Sequence, residues 1–212
     1  MIKIYTDGSA RKKGKECGFG VVVLEDFWIP ELEEECTRLL RNIHQSCEDS
    51  TNNREEMKAI LAAYQYIEDY NLKRVVIYSD SAYCVNMINE WMDNWKANGW
   101  RKYDNGEIQN LDLVQQLYDY KHRQGNNVII KKVDGHTGNI GNEMADALAT
   151  DNMAKFDKLK NFIYNGMQES FNRLIAHRNQ TQINLENIKE ILDDIAYRNE
   201  TQINLENIKR RY

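Results

Sequence analysis

The hydrophobic and polar residues of this chain alternate between a period of two, typical of strands, and a period near 3.6, typical of helices. Period-two segments cover Met1–Asp7, Phe19–Glu25, Cys36–Cys47, Val75–Asp80 and Val128–Val133. Helical spacing marks a segment from about Asn53 to before Asn71, one with Val85, Ile88 and Trp91, one over Leu111–Tyr120, and a last one around Asp146. Three strands followed by alternating helices and strands predict an α/β fold with a mixed sheet and crossover helices.

Length and charge limit the classes of protein to consider. The chain has 212 residues, 42% of them hydrophobic, and a net charge of −5, which argues against a protein that coats nucleic acid nonspecifically. The beginning, MIKIYTDGSA, lacks a basic flank with an apolar stretch, so no secretory signal is expected. No apolar run approaches the roughly 20 residues that span a bilayer, so no membrane partner is expected.

The four cysteines, Cys17, Cys36, Cys47 and Cys84, show no paired spacing and no histidine at the spacing of a metal site. We therefore expect four reduced thiols in a cytoplasmic protein, and no zinc site.

Four acidic residues stand at informative places in the predicted fold. Asp7 and Asp80 end strands that lie side by side in a βαβ arrangement, Glu56 opens the helix between them, and Asp146 lies on the last helix. Asp7 and Asp80, which precede Gly8 and Ser81, can each also be read as a turn former or a helix cap. Together the four acidic residues predict a convergent acidic site, which is costly unless cations neutralise it. Mg²⁺ and Mn²⁺ are the ions that such oxygen ligands favour.

The segments YTDGSA, TNNREE, IYSDSAYCVNMINEWMDNWKANGW and VDGHTGNIGNEMADALA follow one another in an order and spacing that resemble ribonuclease H of type 1. The resemblance covers residues 1 to about 153. It implies a ribonuclease H-like fold: a mixed five-stranded sheet with three antiparallel strands first, helices on both faces, and here a helical C-terminal tail. It implies that Asp7, Glu56, Asp80 and Asp146 bind metal, and that His136 is a mobile-loop histidine that assists catalysis.

The activity implied by this resemblance is endonucleolytic hydrolysis of the RNA strand of RNA–DNA hybrids, which leaves 5′-phosphate and 3′-hydroxyl ends. Two Mg²⁺ ions, with Mn²⁺ as a substitute, would activate a water and stabilise the departing oxygen. His136 would transfer a proton or ease product release, because imidazole titrates near neutrality. The alternative role for His136 is to cap local backbone in its loop.

The resemblance also implies a substrate surface. Asn52 and Asn53 match residues that contact bases in the minor groove, and Thr51 and Asn110 match positions that hold a phosphate of the DNA strand. Trp91 and Trp95 match an aromatic wall below the deoxyribose, although aromatic residues four apart on a helix are also common in cores. Lys96, Arg101 and Lys102 resemble a basic protrusion that contacts the duplex backbone, where a solvated lysine surface is the alternative.

The residues after 153 fall outside the resemblance and contain an internal repeat. RNQTQINLENIK at residues 178–189 recurs as RNETQINLENIK at residues 198–209. A stripe of Leu185, Ile188, Leu192 and Ile195 predicts helix, and Asn or Thr residues in each copy predict two helices with a break near Asn199. We interpret residues 154–212 as a helical extension for packing or self-association, with a partly disordered tail as the alternative.

Two other classes of function are considered. An inactive duplex-binding module would not need four carboxylates and His136, and an assembly protein would act mainly through its C-terminal repeat. A metal-dependent assay on a labelled hybrid distinguishes these classes from a nuclease.

Overall fold

The computed structural model describes the backbone of residues 1–10 and 17–209 and the side chains of residues 1–10 and 17–190. The strands of these residues form one sheet of five: β1 (Ile2–Ala10), β2 (Cys17–Ile29), β3 (Glu34–Cys47), β4 (Val75–Ser79) and β5 (Val128–Lys132). They lie in the order β3-β2-β1-β4-β5. Strand β1 is antiparallel to β2 and parallel to β4, which is parallel to β5. The predicted mixed five-stranded sheet is confirmed.

The α-helices of the described residues are α1 (Asn52–Asp69), α2 (Ala82–Asn86), α3 (Met92–Ala97), α4 (Leu111–Gln124), α5 (Ile140–Ala149) and α6 (Met153–Lys209). A π-helical segment, Met87–Trp91, connects α2 to α3, and short 3-10 turns cover Pro30–Leu32 and Gly125–Asn127. Helix α1 begins where the sequence predicts, because the Thr51 hydroxyl accepts a hydrogen bond from the Arg54 amide as an N-cap.

Two hydrophobic cores lie on the two faces of the sheet, because successive strand side chains point to opposite sides. Ile4 and Ile77 belong to one core, which includes Ile60 of α1 and Leu117 of α4. Tyr5 belongs to the other core, with side chains from β2, α5 and the beginning of α6: Val22, Leu24, Met144, Leu148, Phe156 and Ile163. The prediction of helices on both faces is therefore confirmed.

Helix α6 is continuous over 57 residues, Met153–Lys209, so the predicted helical tail is confirmed and the predicted break near Asn199 is wrong. Residues 178–209 contain no glycine or proline to interrupt the helix. In the first repeat the Thr181 hydroxyl donates to the His177 carbonyl within the helix instead of capping a new one.

The chain divides into two compact units, the first made of Met1–Trp28 and Glu35–Met167. Phe156 and Ile163, on the early turns of α6, are only 2% and 9% exposed and belong to the second core. The first unit therefore extends past residue 153, where the predicted catalytic domain ends.

The second unit consists of Ile29–Glu34 and Gln168–Tyr212. Arg173 and Arg178 of α6 form ion pairs with Glu34 and Glu31 at 2.8 and 2.6 Å. Two residues of the predicted apolar stripe, Leu185 and Ile188, have exposed side chains, whereas the side chains of Leu192 and Ile195 lie outside the described residues. Self-association through the extension stays a prediction.

A disulfide joins Cys17 and Cys47, so the expectation of four reduced thiols is wrong for this pair. Cys17 begins β2 and Cys47 ends β3, and the pairing of these two strands brings their α-carbons to 5.0 Å. A sequence separation of 30 residues gives no sign of that neighbourhood. Cys36 and Cys84 are free and buried.

Among the described residues, no helix has the length and apolar character needed to span a membrane.

Candidate active site

The sheet brings Asp7 and Asp80 to the same edge. Strands β1 and β4 run in parallel with Thr6 opposite Ser79, so Asp7 and Asp80 are the next residues of each chain segment. Asp7 is only 8% exposed, and Asp80 is partly buried. The parallel pairing therefore sets two carboxylates side by side, as the sequence predicts.

Glu56 reaches this edge because Gly8 lets helix α1 lie directly against β1. A Cβ atom on Gly8 would stand 2.0 Å from the Glu56 backbone nitrogen, which leaves no room for any other residue. Ligand oxygens of Asp7, Glu56 and Asp80 all lie within 4.8 Å of one another. We call these three residues the strand-edge group.

No basic side chain among the described residues forms an ion pair with a carboxylate of the strand-edge group. The negative charge of the group is therefore not offset by a protein cation. Burial, followed by the charges of Asp80 and Asp146, raises the pKa of Asp7 well above its ordinary value. Burial, followed by the charges of Asp7 and Asp80, raises the pKa of Glu56 even further. The Oε2 atom of Glu56 is buried without a hydrogen-bond partner among the described residues. A bound cation would satisfy that oxygen and offset the repulsion.

Asp80 is oriented by neighbours that the sequence analysis did not identify. The Asn142 side chain, 2% exposed, donates through Nδ2 to Asp80 Oδ2 at 3.3 Å. Gly135 lies so close that a Cβ there would stand 2.8 Å from the same oxygen. Asn142 precedes Asp146 by four residues on α5, so helical spacing was a signal that could have found it.

Asp146 belongs to a neighbouring set of side chains. It lies on α5 with Glu143, and ligand atoms of these two residues and of His136 fall within 4.8 Å of one another. The charge of Asp146 is close enough to contribute to the raised pKa of Asp7. The predicted four carboxylates therefore lie near each other but divide between the strand-edge group and a second set, His136, Glu143 and Asp146, which we call the helix group.

The helix group consists of an exposed histidine and two carboxylates that form ion pairs with a lysine. His136 has a positive φ of 55° in the loop between β5 and α5. Lys155 of α6, which sequence reasoning missed, places Nζ 2.6 Å from Glu143 Oε2 and 2.7 Å from Asp146 Oδ2. No local pattern signals this contact, because it depends on how α6 turns back toward α5.

The family model described as RNase H matches residues 1–154 of the chain. The chain belongs to the ribonuclease H family of enzymes. The ribonuclease H of Francisella tularensis subsp. novicida (strain U112) is 37% identical over 154 residues, which cover 71% of this chain and 90% of the relative. The ribonuclease H of Ruthia magnifica subsp. Calyptogena magnifica is 36% identical over 148 residues, or 70% and 92% of the two chains.

Solved structures share the fold. A crystal structure of LC9-RNase H1, described as a type 1 RNase H with the type 2 active-site motif, has a TM-score of 0.56 and 28% identity and covers 72% of each chain. The solution structure of the PFV RNase H domain has a TM-score of 0.59 and 22% identity, over 71% of this chain and 92% of that domain.

Three of the four residues predicted to contact the minor groove or the DNA backbone form hydrogen bonds within this RNase H chain. Thr51 caps α1, and Asn52 Oδ1 accepts a hydrogen bond from the Ala10 amide at 2.6 Å. Asn110 Oδ1 accepts from Arg54 at 3.0 Å, and Arg54 also donates to Asp112 through both terminal guanidinium nitrogens, Nη1 and Nη2. Asn53 is exposed. Arg54, missed in the sequence analysis, thus fixes the predicted phosphate-binding Asn110 beside the beginning of α1.

The predicted aromatic wall is present but partly packed into the RNase H core. Trp91 and Trp95 are half-buried against the first core, with ring centroids 5.9 Å apart. Both tryptophans line an open cleft, together with Asn94, Ala97, Asn98, Arg101 and Tyr103. Their core and surface roles are therefore compatible.

The predicted basic residues lie on the last turn of α3, which holds Lys96, and in the loop that follows, which holds Arg101 and Lys102. Arg101 and Lys102 are exposed, and Arg101 pairs with Glu107 in an isolated β-bridge. Lys96 lies over the rings of Trp100 and Tyr118, with its Nζ 5.1 and 5.8 Å from their centroids. Lys96 is therefore oriented by cation–π contacts and Arg101 by a hydrogen bond to the Asn105 carbonyl at 3.2 Å, while all three basic residues remain exposed to solvent.

Proposed function

We propose that this chain is an endonuclease that hydrolyses the RNA strand of RNA–DNA hybrids with two divalent ions and leaves 5′-phosphate and 3′-hydroxyl ends. The observation that carries the proposal is the strand-edge group, three carboxylates whose ligand oxygens lie within 4.8 Å in a chain of the ribonuclease H family. The relatives named ribonuclease H support the same substrate class.

The donor set fits Mg²⁺, with Mn²⁺ as a substitute. The ligands are carboxylate oxygens, which hard divalent ions favour, and the unpartnered Glu56 Oε2 is the buried atom that most needs a cation. Asp7, Glu56 and Asp80 would hold one ion and Asp146, with Asp7, would help to hold the second. When bound, such ions supply an activated water and stabilise the departing oxygen.

The surrounding residues would prepare the site for this reaction. Asn142 keeps the Asp80 carboxylate oriented, because its amide donates to Oδ2 from a fully packed position. His136 stands on an exposed loop next to Asp146, where its imidazole would receive or return a proton as the product leaves.

Recognition of a hybrid requires contacts that differ between the two strands. The 2′-hydroxyl distinguishes RNA from DNA across a shallow minor groove. Asn52 and Asn53 begin α1 beside the strand-edge group, and Thr51 and Asn110 would hold the DNA backbone. Trp91 and Trp95 would contact the deoxyribose, with Lys96, Arg101 and Lys102 toward the phosphates.

The test compares labelled RNA–DNA hybrid with RNA–RNA and DNA–DNA duplexes of the same sequence in Mg²⁺ and in EDTA. We expect metal-dependent cleavage of the RNA strand in the hybrid and no cleavage of the other two duplexes. The products should be substrates for a ligase that requires a 3′-hydroxyl. The matched control is Asp119→Asn, which removes an exposed carboxylate of α4 and should cleave as the wild type does. Metal-independent cleavage, or equal cleavage of all duplexes, would refute the proposal.

A further inference from the structure

Lys155 supplies a protein cation to the helix group. Its ammonium lies 2.6 Å from Glu143 Oε2 and 2.7 Å from Asp146 Oδ2, so a single positive charge bridges two carboxylates. The three side chains are 32%, 19% and 22% exposed, so the ion pairs are partly shielded from water. Asp146 is the residue proposed above as a metal ligand.

The backbone holds Lys155 in this position. Asp151 adopts a positive φ of 54°, which reverses the chain after α5, and the Asn152 amide donates to the Ala147 carbonyl at 2.7 Å. Asn152 Oδ1 then accepts from the Lys155 amide as the cap of α6. The next residue, Phe156, is 2% exposed in the second core. The backbone of Lys155 is therefore fixed, and only its side chain can move away from Glu143 and Asp146.

An ammonium and a divalent ion on the same carboxylate repel each other. Mg²⁺ binds carboxylate oxygens at about 2.0–2.1 Å, so the Lys155 ammonium in its present position would lie only a few ångströms from an ion on Asp146 and oppose its binding. We propose that Lys155 is a built-in competitor for the divalent ion at Asp146, and that it must withdraw before this ion binds. The inference rests on the proposed function for its catalytic meaning, but its test measures metal binding directly.

The two groups should consequently fill in order. Within the described residues no lysine or arginine forms an ion pair with the strand-edge group, whereas the helix group carries its own cation. A first divalent ion therefore enters at Asp7, Glu56 and Asp80 without displacing a protein charge. A second ion must displace Lys155, so its subsite has the lower affinity.

The first experiment is a Mn²⁺ titration of the metal-free protein without hybrid, followed by the electron paramagnetic resonance signal of free Mn²⁺. We expect two steps in the wild type. Lys155→Met, which keeps the aliphatic chain and removes the charge, should tighten the weaker step about tenfold, because a positive charge a few ångströms away no longer opposes the ion. Lys155→Arg should keep the wild-type value, as should Lys158→Met, the same charge change on an exposed lysine of α6.

The second experiment uses the unmodified protein and is independent of how any variant folds. Reductive methylation with formaldehyde and borohydride should label Lys155 slowly without metal and several-fold faster at Mg²⁺ concentrations that fill the weaker subsite. Lys158 is the internal control and should label equally in both conditions. Peptide mass spectrometry reads both positions in one sample.

The outcomes separate this inference from the proposed function. A tightened second step in Lys155→Met, with Mg²⁺-dependent labelling of Lys155, supports it even if no hybrid is cleaved, a result that would overturn only the proposed function. Identical Mn²⁺ isotherms for the wild type and Lys155→Met, weaker binding in that variant, or labelling that ignores Mg²⁺ would each overturn the competitor role.

Discussion

The strand-edge group and the helix group are both acidic, but their charges are balanced in different ways. Asp7 and Glu56 are 8% exposed and have no ion-pair partner among the described residues. Glu143 and Asp146 are about one-fifth exposed and share Lys155. The comparison shows that one edge of the sheet combines a group whose negative charges no described ion pair offsets with a group whose charges Lys155 offsets in part.

The largest expected effect comes from removing charge within the strand-edge group. Asp80→Asn keeps the size of the side chain but replaces a carboxylate by a neutral, weak metal ligand, so hydrolysis of hybrid should fall by about four orders of magnitude or more. Binding of the hybrid should persist in a gel-shift assay. Full turnover by Asp80→Asn in Mg²⁺ would show that the strand-edge group is not the catalytic centre.

A smaller effect is expected within the helix group. His136→Ala should slow turnover by about tenfold to a hundredfold without abolishing it, because general acid–base assistance supplies only part of the rate. Single-turnover kinetics on a labelled hybrid measure the effect. A loss as complete as that of Asp80→Asn would make His136 a primary catalytic group, and an unchanged rate would favour its role in capping the loop.

The stability of the metal-free protein distinguishes the two groups by pH. Burial and the neighbouring carboxylates raise the pKa of Glu56 to about 9 in the folded state, so its contribution to stability is fully present below about pH 4.5 and is lost as the pH rises through the raised pKa. Near pH 8 in EDTA, Glu56→Gln should raise the free energy of unfolding by at least about 1 kcal/mol, since the wild type must bind a proton at Glu56 when it folds and the glutamine variant need not.

Glu143→Gln is the matched control for this measurement, because it neutralises an acid that Lys155 already pairs with. It should leave stability unchanged or lower it slightly, and saturating Mg²⁺ should shrink the advantage of Glu56→Gln. Thermal unfolding from about pH 5 to pH 9 provides the data. Equal effects of the two substitutions would remove the electrostatic distinction between the groups.

The smallest effect on catalysis should follow truncation after Met167, which retains Lys155, Phe156 and Ile163. Both groups stay intact in this shorter chain, so metal-dependent cleavage should match the full-length protein. Truncation after Met153 removes all three residues and should lower stability, since each buried apolar side chain contributes about 1.5–3 kcal/mol. Light scattering of the same proteins tests self-association, which predicts that the number of chains per particle falls after either truncation.

The sequence predicted the elements that local pattern determines. Alternating residues placed the strands, and the order of elements implied that β1 and β4 are parallel, which brings Asp7 and Asp80 together. The repeat, by contrast, suggested two helices because Asn and Thr often cap helix beginnings. Thr181 instead donates to the preceding turn, a choice that residue type alone does not determine.

The features that escaped prediction depend on contacts between distant segments. The Cys17–Cys47 disulfide requires the pairing of β2 with β3, and the Lys155 ion pairs require the reversal at Asp151. Asn142 was within reach of sequence reasoning, because it precedes Asp146 by one helical turn on the same face. The burial of its side chain beside Asp80 required the packed helix.

Helices and strands approach each other closely beside the acidic residues. A Cβ on Gly8 of β1 would meet the α1 backbone at 2.0 Å, and one on Gly20 of β2 would meet the Ala145 carbonyl of α5 at 2.3 Å. A single added methyl group at either position would wedge a carboxylate-bearing helix away from the sheet. A shift of either helix would change the distances between the carboxylates before it changed the fold. Activity can therefore be lost by substitution of a glycine while every acidic residue is retained.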